Sequence, residues 1–338
     1  MEYMIKQVPE DFLVEEIPSV VPGNEGEYSY YSLWKKNCNT LAAIKEISRK
    51  LGINIRRMGW AGNKDKNAVT RQAISIQRAD EAKIRKLNFE NISLSYLGKG
   101  SQRIYIGNLA GNKFTITVRN LGSDGCAEIQ KNHETLKKNG FLIPNYFDEQ
   151  RFGGMNYETG KALLERKFGE AAAAIYRAEM PNPVQALAKV HGSVLSLFVH
   201  AYQSLLFNEM LSEYIMKKCS SFSTVEYSRG TFIFPGEKVV AVKLPIVGFA
   251  TELKDDETGK IASDILRKHN ISQRDFIIKQ LPALTVEGSE RDALAEAKNL
   301  EIGSMQDDEL NEGKKKCVLK FELQKGSYAT ILIKALCC

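Results

Sequence analysis

The end of the chain constrains the fold more than any other stretch. After Cys317, Val318, Lys320, Phe321, Glu322 and Leu323 follow a strand-like alternation, a turn falls at Lys325-Gly326-Ser327, and Tyr328 to Ile333 is dominated by apolar residues. The final segment reads as a strand, a turn and then a short strand or helix. An apolar terminus of this quality must pack against a sheet, and the strongest sheet signals lie far away, between Lys6 and Arg119. Two pieces of one sheet are therefore expected, with the middle of the chain as an insertion between them. At 338 residues the chain accommodates two domains. The boundaries fall at 1–154 with 306–338 for the sheet domain and at 155–305 for the inserted one.

Local patterns fill in this outline. Pro9 cannot donate to a ladder, and Phe12 and Val14 alternate with polar neighbours, so Lys6 to Glu16 reads as a turn running into a strand. The plainest placement for that strand is at a sheet edge with a solvated acidic face. Glu27 to Trp34, rich in tyrosine, is a second strand. Leu41, Ile44, Ile47 and Leu51 recur at helical spacing, with Asn39 or Thr40 as N-cap and Gly52 closing the last turn. Ile53 to Ala61 is extended and Gln72 to Gln77 alternates, which presents 61–72 as a loop between strands. Two β-rich stretches within Arg103 to Arg119 flank Gly111-Asn112, read as their turn. Glu128 to Asn139 predicts a helix closed by Gly140, and Pro144 to Gly154 an aromatic, polar loop of the kind that binds ligands. Val194 to Lys217 predicts a long helix with Leu197, Ala201, Leu205 and Met210 on its buried side and His200 as a satisfied core residue.

Strict spacing rules exclude several chemistries. The six cysteines are scattered without a C-x-x-C pair and only four histidines accompany them, so neither a zinc site nor a disulfide framework is expected. No phosphate-binding G-x-x-x-x-G-K-[ST] loop, G-x-S-x-G elbow or H-E-x-x-H helix occurs, and no nucleotide cofactor is expected. Val239 to Ala250, the longest greasy run, is broken by Lys243 and Pro245 and is too short to span a bilayer. With no signal-peptide pattern at the N-terminus, the expected location is cytoplasmic, without a membrane partner. Lys and Arg exceed Asp and Glu by 47 to 41, which permits a polyanionic partner without requiring one.

The loop Ala61-Gly62-Asn63-Lys64-Asp65-Lys66-Asn67-Ala68-Val69-Thr70-Arg71-Gln72 sets one carboxylate among three cations. Such a setting favours the ionised carboxylate and suits Asp65 to act as nucleophile or base. A loop aspartate is more often a turn former, so the motif alone gives only a candidate. The cations can meet phosphates, and Phe12, Phe147 and Tyr328 can stack on an unpaired base, although a core role is the plainer reading of any one aromatic.

Six segments, KQVPEDFLVEE (6–16), AGNKDKNAVTRQ (61–72), GNLAGNKFTITVRNL (107–121), PNYFDEQRFG (144–153), HAYQSLLFNEMLS (200–212) and KGSYAT (325–330), together closely resemble the TruD family of tRNA pseudouridine synthases. The resemblance spans the chain and includes a G-x-K-D-x-x-A-x-T-x-Q frame. It implies a pseudouridine-synthase α+β fold, a mixed and mainly antiparallel sheet with flanking helices plus an inserted α+β domain. It also implies cofactor-free isomerisation of uridine to pseudouridine in tRNA, usually at uridine 13, with no obligate protein partner. Asp65 matches the family's catalytic aspartate and Lys6 the basic residue that pairs with it. Phe12, Asn145 and Tyr328 match positions that contact the target nucleotide, and Phe147 the stacking aromatic. Two departures stand out: Tyr328 where the family often has Phe, and Asp148 where many relatives carry Gly. The alternative is a non-catalytic tRNA-binding or RNA-folding protein on the same scaffold.

Overall fold

The computed structural model describes residues 2–337, which cluster into two compact units: residues up to 131 with 296–329 and 337, and 132–295 with 330–336.

The first unit is built on a nine-stranded sheet. Its early strands are β1 (Phe12–Pro18), β2 (Tyr28–Lys36), β3 (Met58–Trp60), β4 (Val69–Gln77), β5 (Ile92–Gly100) and β6 (Leu109–Leu121). Strands Lys298–Ile302, Gln306–Asp307 and Lys315–Gln324 return from the far end of the sequence. From one edge the order is Lys298–Ile302, Lys315–Gln324, β6, β1, β4, β2, β5, with Gln306–Asp307 paired to Lys315–Gln324 and β3 to β4. The late strand thus joins β6 antiparallel, Phe321 opposite Phe114, as its alternation predicts. The sheet is mixed and mainly antiparallel.

Its one parallel pair, β1 with β4, decides what meets what. Leu13 lies opposite Val69, so the chain enters both strands at the same end of the sheet. The segments preceding them, 6–11 and 61–68, therefore emerge side by side although they are far apart in sequence. β2 runs antiparallel to β4 with Lys36 opposite Val69, and its last residues arrive at that end as well. β6, antiparallel to β1 with Phe12 opposite Ile116, delivers Arg119 there too.

Helix α1 (Thr40–Leu51) covers one face of the sheet. Asn39 Oδ1 accepts from the Ala42 amide at 2.7 Å and Gly52, at φ 69°, closes the helix. Ala43, Ile44, Ile47 and Leu51 pack with Leu33, Met58, Ile74 and Ile76 in one core, each large aliphatic side chain contributing roughly 1.5–3 kcal/mol by burial. Leu41 is left on the exposed side of the helix.

Two sheet expectations are corrected. β1 is not an edge strand: it pairs with β4 on one side and β6 on the other, and its Glu16 is buried rather than solvated. Gly111-Asn112 is not a turn but lies inside β6. Gly111 is needed because a Cβ there would sit 2.3 Å from the Leu323 carbonyl oxygen of the neighbouring strand.

The second unit is helical with short β pairs. Helices Asn156–Leu164, Phe168–Tyr176, Pro183–Lys189, Gly192–Lys218 and Glu257–Lys268 accompany a hairpin, Phe222–Tyr227 with Gly230–Pro235, and a pair, Lys243–Ile246 with Ser289–Asp292. Asn156–Leu164 crosses the long helix at backbone contact, since a Cβ at Gly160 would lie 2.1 Å from Phe198 O. Ala201, Leu205 and Met210 of the long helix are buried as expected, and so are Leu195, Val199, Tyr202 and Leu206. Leu197 and His200 stand roughly 200° from Leu195 and Tyr202 respectively and are exposed, contrary to their expected burial. From Thr330 onward the terminal helix Ala329–Leu336 groups with this unit, not with the sheet as expected. Thr330 and Lys334 hold the buried Asp148 carboxylate there. None of the helices among the described residues is long and apolar enough to cross a membrane.

Candidate active site

At the shared end of β1 and β4, a short 3₁₀ turn, Pro9–Asp11, leads into β1. Asp11 caps it, accepting the Val8 amide at 3.0 Å, and is itself held by Arg119 Nε at 2.8 Å. Arg119 also donates to Asp308 at 2.7 Å and Glu309 at 3.1 Å, so one guanidinium ties the turn to β6 and the loop after Gln306–Asp307. Burial pushes the Asp308 carboxyl up, but bonds from the Asn120 amide, Asn311, the Leu310 amide and Arg119 outweigh it and bring it down to about 2. Lys6 precedes the turn in the left-handed region, φ 59°, a conformation a lysine adopts only when its surroundings impose it. Its ammonium lies 4.0 Å from the centre of the Phe12 ring and forms an ion pair with the Asp65 carboxylate.

The Asp65 loop has no regular structure of its own and is held residue by residue. Gln72 Nε2 donates to Gly62 O at 2.9 Å, Thr40 Oγ1 donates to Gln72 Oε1 at 2.9 Å, and the Lys64 amide donates back to Thr40 Oγ1 at 2.9 Å. Lys64 Nζ pairs with buried Glu16 at 2.9 Å, and the fully buried Ala68 accepts from the Asn37 amide at 3.1 Å. Each of these residues of the G-x-K-D-x-x-A-x-T-x-Q frame therefore has a seating job. Beneath the loop, Lys35 Nζ donates to the carbonyls of Cys38 at 2.6 Å, Asp65 at 2.9 Å and Lys64 at 3.4 Å. Lys35 is 0% exposed, and burial lowers it to about 8. The cations flanking Asp65 in sequence are not its partners: Lys64 is on Glu16, Arg71 lies 3.6 Å from Glu15, and Lys66 is exposed.

Tyr328, half-buried, is in the same unit as Asp65. Its turn is tied to the loop indirectly: Lys325 Nζ reaches Gly107 O at 3.3 Å, and the Gly107 amide donates to Ala61 O at 2.7 Å. Lys6 thus touches both Phe12 and Asp65, and the turn before Tyr328 is tied to the start of the Asp65 loop through Lys325 and Gly107.

Asn145 and Phe147 belong to the second unit and come together around Arg291. Arg291 donates to Asn145 O at 3.0 Å and Oδ1 at 2.6 Å, and its guanidinium carbon lies 4.2 Å from the Phe147 ring centre. Asn208 clamps the Phe147 backbone through both its amide and its carbonyl, at 2.9 and 2.8 Å, and Phe207 meets the ring edge-on. Asn145 is buried, its side-chain amide donating to Asp292 O at 3.0 Å, while Phe147 remains half-buried.

Sequence reasoning missed Lys35, Glu16, Arg291 and Asn208. Lys35 carried a signal: it is the third inward position of β2 after Tyr31 and Leu33, where an apolar residue is the rule. Arg291 and Asn208 carried none, since their partners lie far away in sequence.

The family model for TruD, tRNA pseudouridine synthase D, matches residues 1–183 and 176–336. A probable tRNA pseudouridine synthase D of Methanosarcina acetivorans is 30% identical, covering 98% of this chain and 91% of its own. A counterpart from Methanocaldococcus jannaschii is 32% identical over 98% of this chain and 90% of its own, and the Aquifex aeolicus tRNA pseudouridine synthase D is 26% identical over 100% and 99%. The crystal structure of the putative tRNA pseudouridine synthase D from Methanosarcina mazei superposes with a TM-score of 0.75 at 27% identity, covering 98% of this chain and 93% of that one. Extended matches at both sequence and fold level leave one assignment: the chain belongs to the TruD family of tRNA pseudouridine synthases, which are isomerases.

Proposed function

We propose that this protein converts uridine to pseudouridine in tRNA, at uridine 13, with Asp65 as the reacting carboxylate. The observation that carries the reading is the Lys6–Asp65 ion pair, set at one end of the sheet on a loop in which Lys64 is bound to Glu16 and Gly62 to Gln72. Family membership supports the activity, and the geometry supports the choice of residue.

The reaction breaks the N1–C1′ bond, turns the uracil in place and forms the C5–C1′ bond. The C5 proton is lost and N1 gains one, so the change is an isomerisation without net redox chemistry. Asp65 either attacks C1′ or removes a proton from C2′, and its side chain, 39% exposed, is accessible for both routes. Lys6 orients it through the ion pair. Phe12 backs the pair, Tyr328 and Asn145 meet the target nucleotide, and Phe147 supplies the stacking ring that offsets extraction of the base from its stack. Asn145 also fixes Arg291 beside Phe147. In this reading the first unit, residues up to 131 with 296–329, is the catalytic domain and the second, 132–295 with 330–336, contains the family's insertion, so the boundaries differ from the expected 1–154 with 306–338 and 155–305. Mapping pseudouridine in an unmodified tRNA transcript after incubation with the protein tests it. A new pseudouridine at position 13 is expected, and its absence there with modification elsewhere would reject the assigned position.

A further inference from the structure

Lys35 is a fully buried ammonium that no carboxylate pairs with among the described residues. Taking a cation out of water without an opposite charge is among the costliest things a core position can do. β2 needs no such residue for its own sake, since Tyr31 and Leu33 fill the preceding inward positions with apolar volume. What the ammonium does contact is main chain: one atom bridges the carbonyl of Cys38, just before the N-cap of α1, to the carbonyls of Lys64 and Asp65.

We propose that Lys35 is a positioning residue for the isomerisation, clipping the main chain at Asp65 so that its carboxylate stays against Lys6. The inference rests on Asp65 being the reacting group. The loop has no strand or helix hydrogen bonds at Lys64–Asp65, and the Asp65 side chain is too exposed for packing to fix it. The Thr40 and Gln72 bonds hold Gly62 and the Lys64 amide, but the Asp65 carbonyl is held by Lys35. An error of about 1 Å at a reacting group lowers rates on the order of 100-fold, so a clip on the adjacent carbonyl is a rate determinant although it touches no substrate.

The clip is also sensitive to pH. Burial opposes the ammonium most, nearby Cys38 and Asp65 favour it, Lys64 opposes it, and the in-register neighbours Thr70 on β4 and Ile92 on β5 are uncharged. Burial dominates and brings Lys35 down to about 8. Below that pH the ammonium can serve all three carbonyls, and above it the amine binds them weakly.

The test compares wild type with Lys35→Met in the full-length protein, using an unmodified tRNA transcript. At neutral pH the single-turnover rate should fall roughly 30-fold while tRNA affinity stays within about threefold. Amide exchange in 62–68 should rise about tenfold with β4 unchanged. The wild-type rate should decline above pH about 8, and Lys35→Met should lack that decline. An unchanged rate or unchanged exchange overturns the proposal. Should the variant not fold, a wild-type rate that holds steady to pH about 9.5 overturns it instead. Asp65→Asn run alongside separates the two failures. Turnover surviving there refutes Asp65 as the reacting group, whereas a dead Asp65→Asn beside an unaffected Lys35→Met refutes only the clip.

Discussion

Two carboxylate–cation clusters stand at the same end of the sheet and are built in opposite ways. Around Arg119, two carboxylates, Asp11 and Asp308, are almost fully buried, and Asp308 receives bonds from Asn311 and two main-chain amides besides the guanidinium. Around Asp65 there is one side-chain partner among the described residues, Lys6, and the carboxylate keeps an open face. A carboxylate saturated with donors and sealed from water is committed to stability, whereas one with a single cation and an open side is available to react. The difference lies in the loops, not the strands, since the same strand ends deliver both clusters.

The contrast can be broken most forcefully at Arg119. Arg119→Met leaves Asp11 and Asp308 buried without their cation and should cost about 3–5 kcal/mol in urea unfolding. A loss below about 1 kcal/mol would mean that the cluster is not structural. Acid titration gives the next largest effect. Asp308 has its carboxyl lowered to about 2 in the folded protein, below the unfolded value near 4, so its contribution is complete above pH about 4 and is lost as pH falls toward 2. Thermal melting of wild type should therefore lose about 2 kcal/mol more than Asp308→Asn across that window. Equal slopes would contradict the linkage. At the reactive cluster, Lys6→Met should slow single-turnover isomerisation about tenfold, with a smaller change in tRNA affinity. The reverse pattern would make Lys6 a tRNA-binding residue. Lys66→Ala should do least, shifting stability by no more than about 0.5 kcal/mol and leaving the rate within about twofold, because the Lys66 side chain is exposed and neighbours Asp65 only in sequence.

Much of the first unit was legible because its signals are local. Asn39, the apolar spacing and Gly52 define α1 within a dozen residues, and the alternation from Cys317 announces a strand that belongs with the early sheet. What failed depended on distant partners. Whether β1 is an edge or central strand is settled by Phe114 and Val69, which its own alternation cannot report. Gly111 has a turn residue's identity but serves the close approach of Leu323. On the long helix Ala201, Leu205 and Met210 are buried as expected, and of that stripe only Leu197 was misplaced, because the sequence is apolar nearly all round and Leu197 looked as suitable for burial as Leu195. At the site, the resemblance supplied the pairing of Lys6 with Asp65, which are 59 residues apart and brought together by the one parallel strand pair. Local charge pattern alone pointed to Lys64, Lys66 and Arg71, two of which the structure commits to glutamates of β1. Lys35 could have been found from its inward phase on β2, but only by asking why a lysine stands there.

The most direct test of the central claim is release of tritium from tRNA labelled at uridine C5, measured for wild type and Asp65→Asn at enzyme concentrations that saturate tRNA binding. Only isomerisation displaces that hydrogen. With Asp65 as the reacting carboxylate, the variant should bind tRNA within severalfold of wild type, melt as wild type does and release tritium at least about 1,000-fold more slowly. Release by Asp65→Asn at a rate near that of wild type would contradict the account.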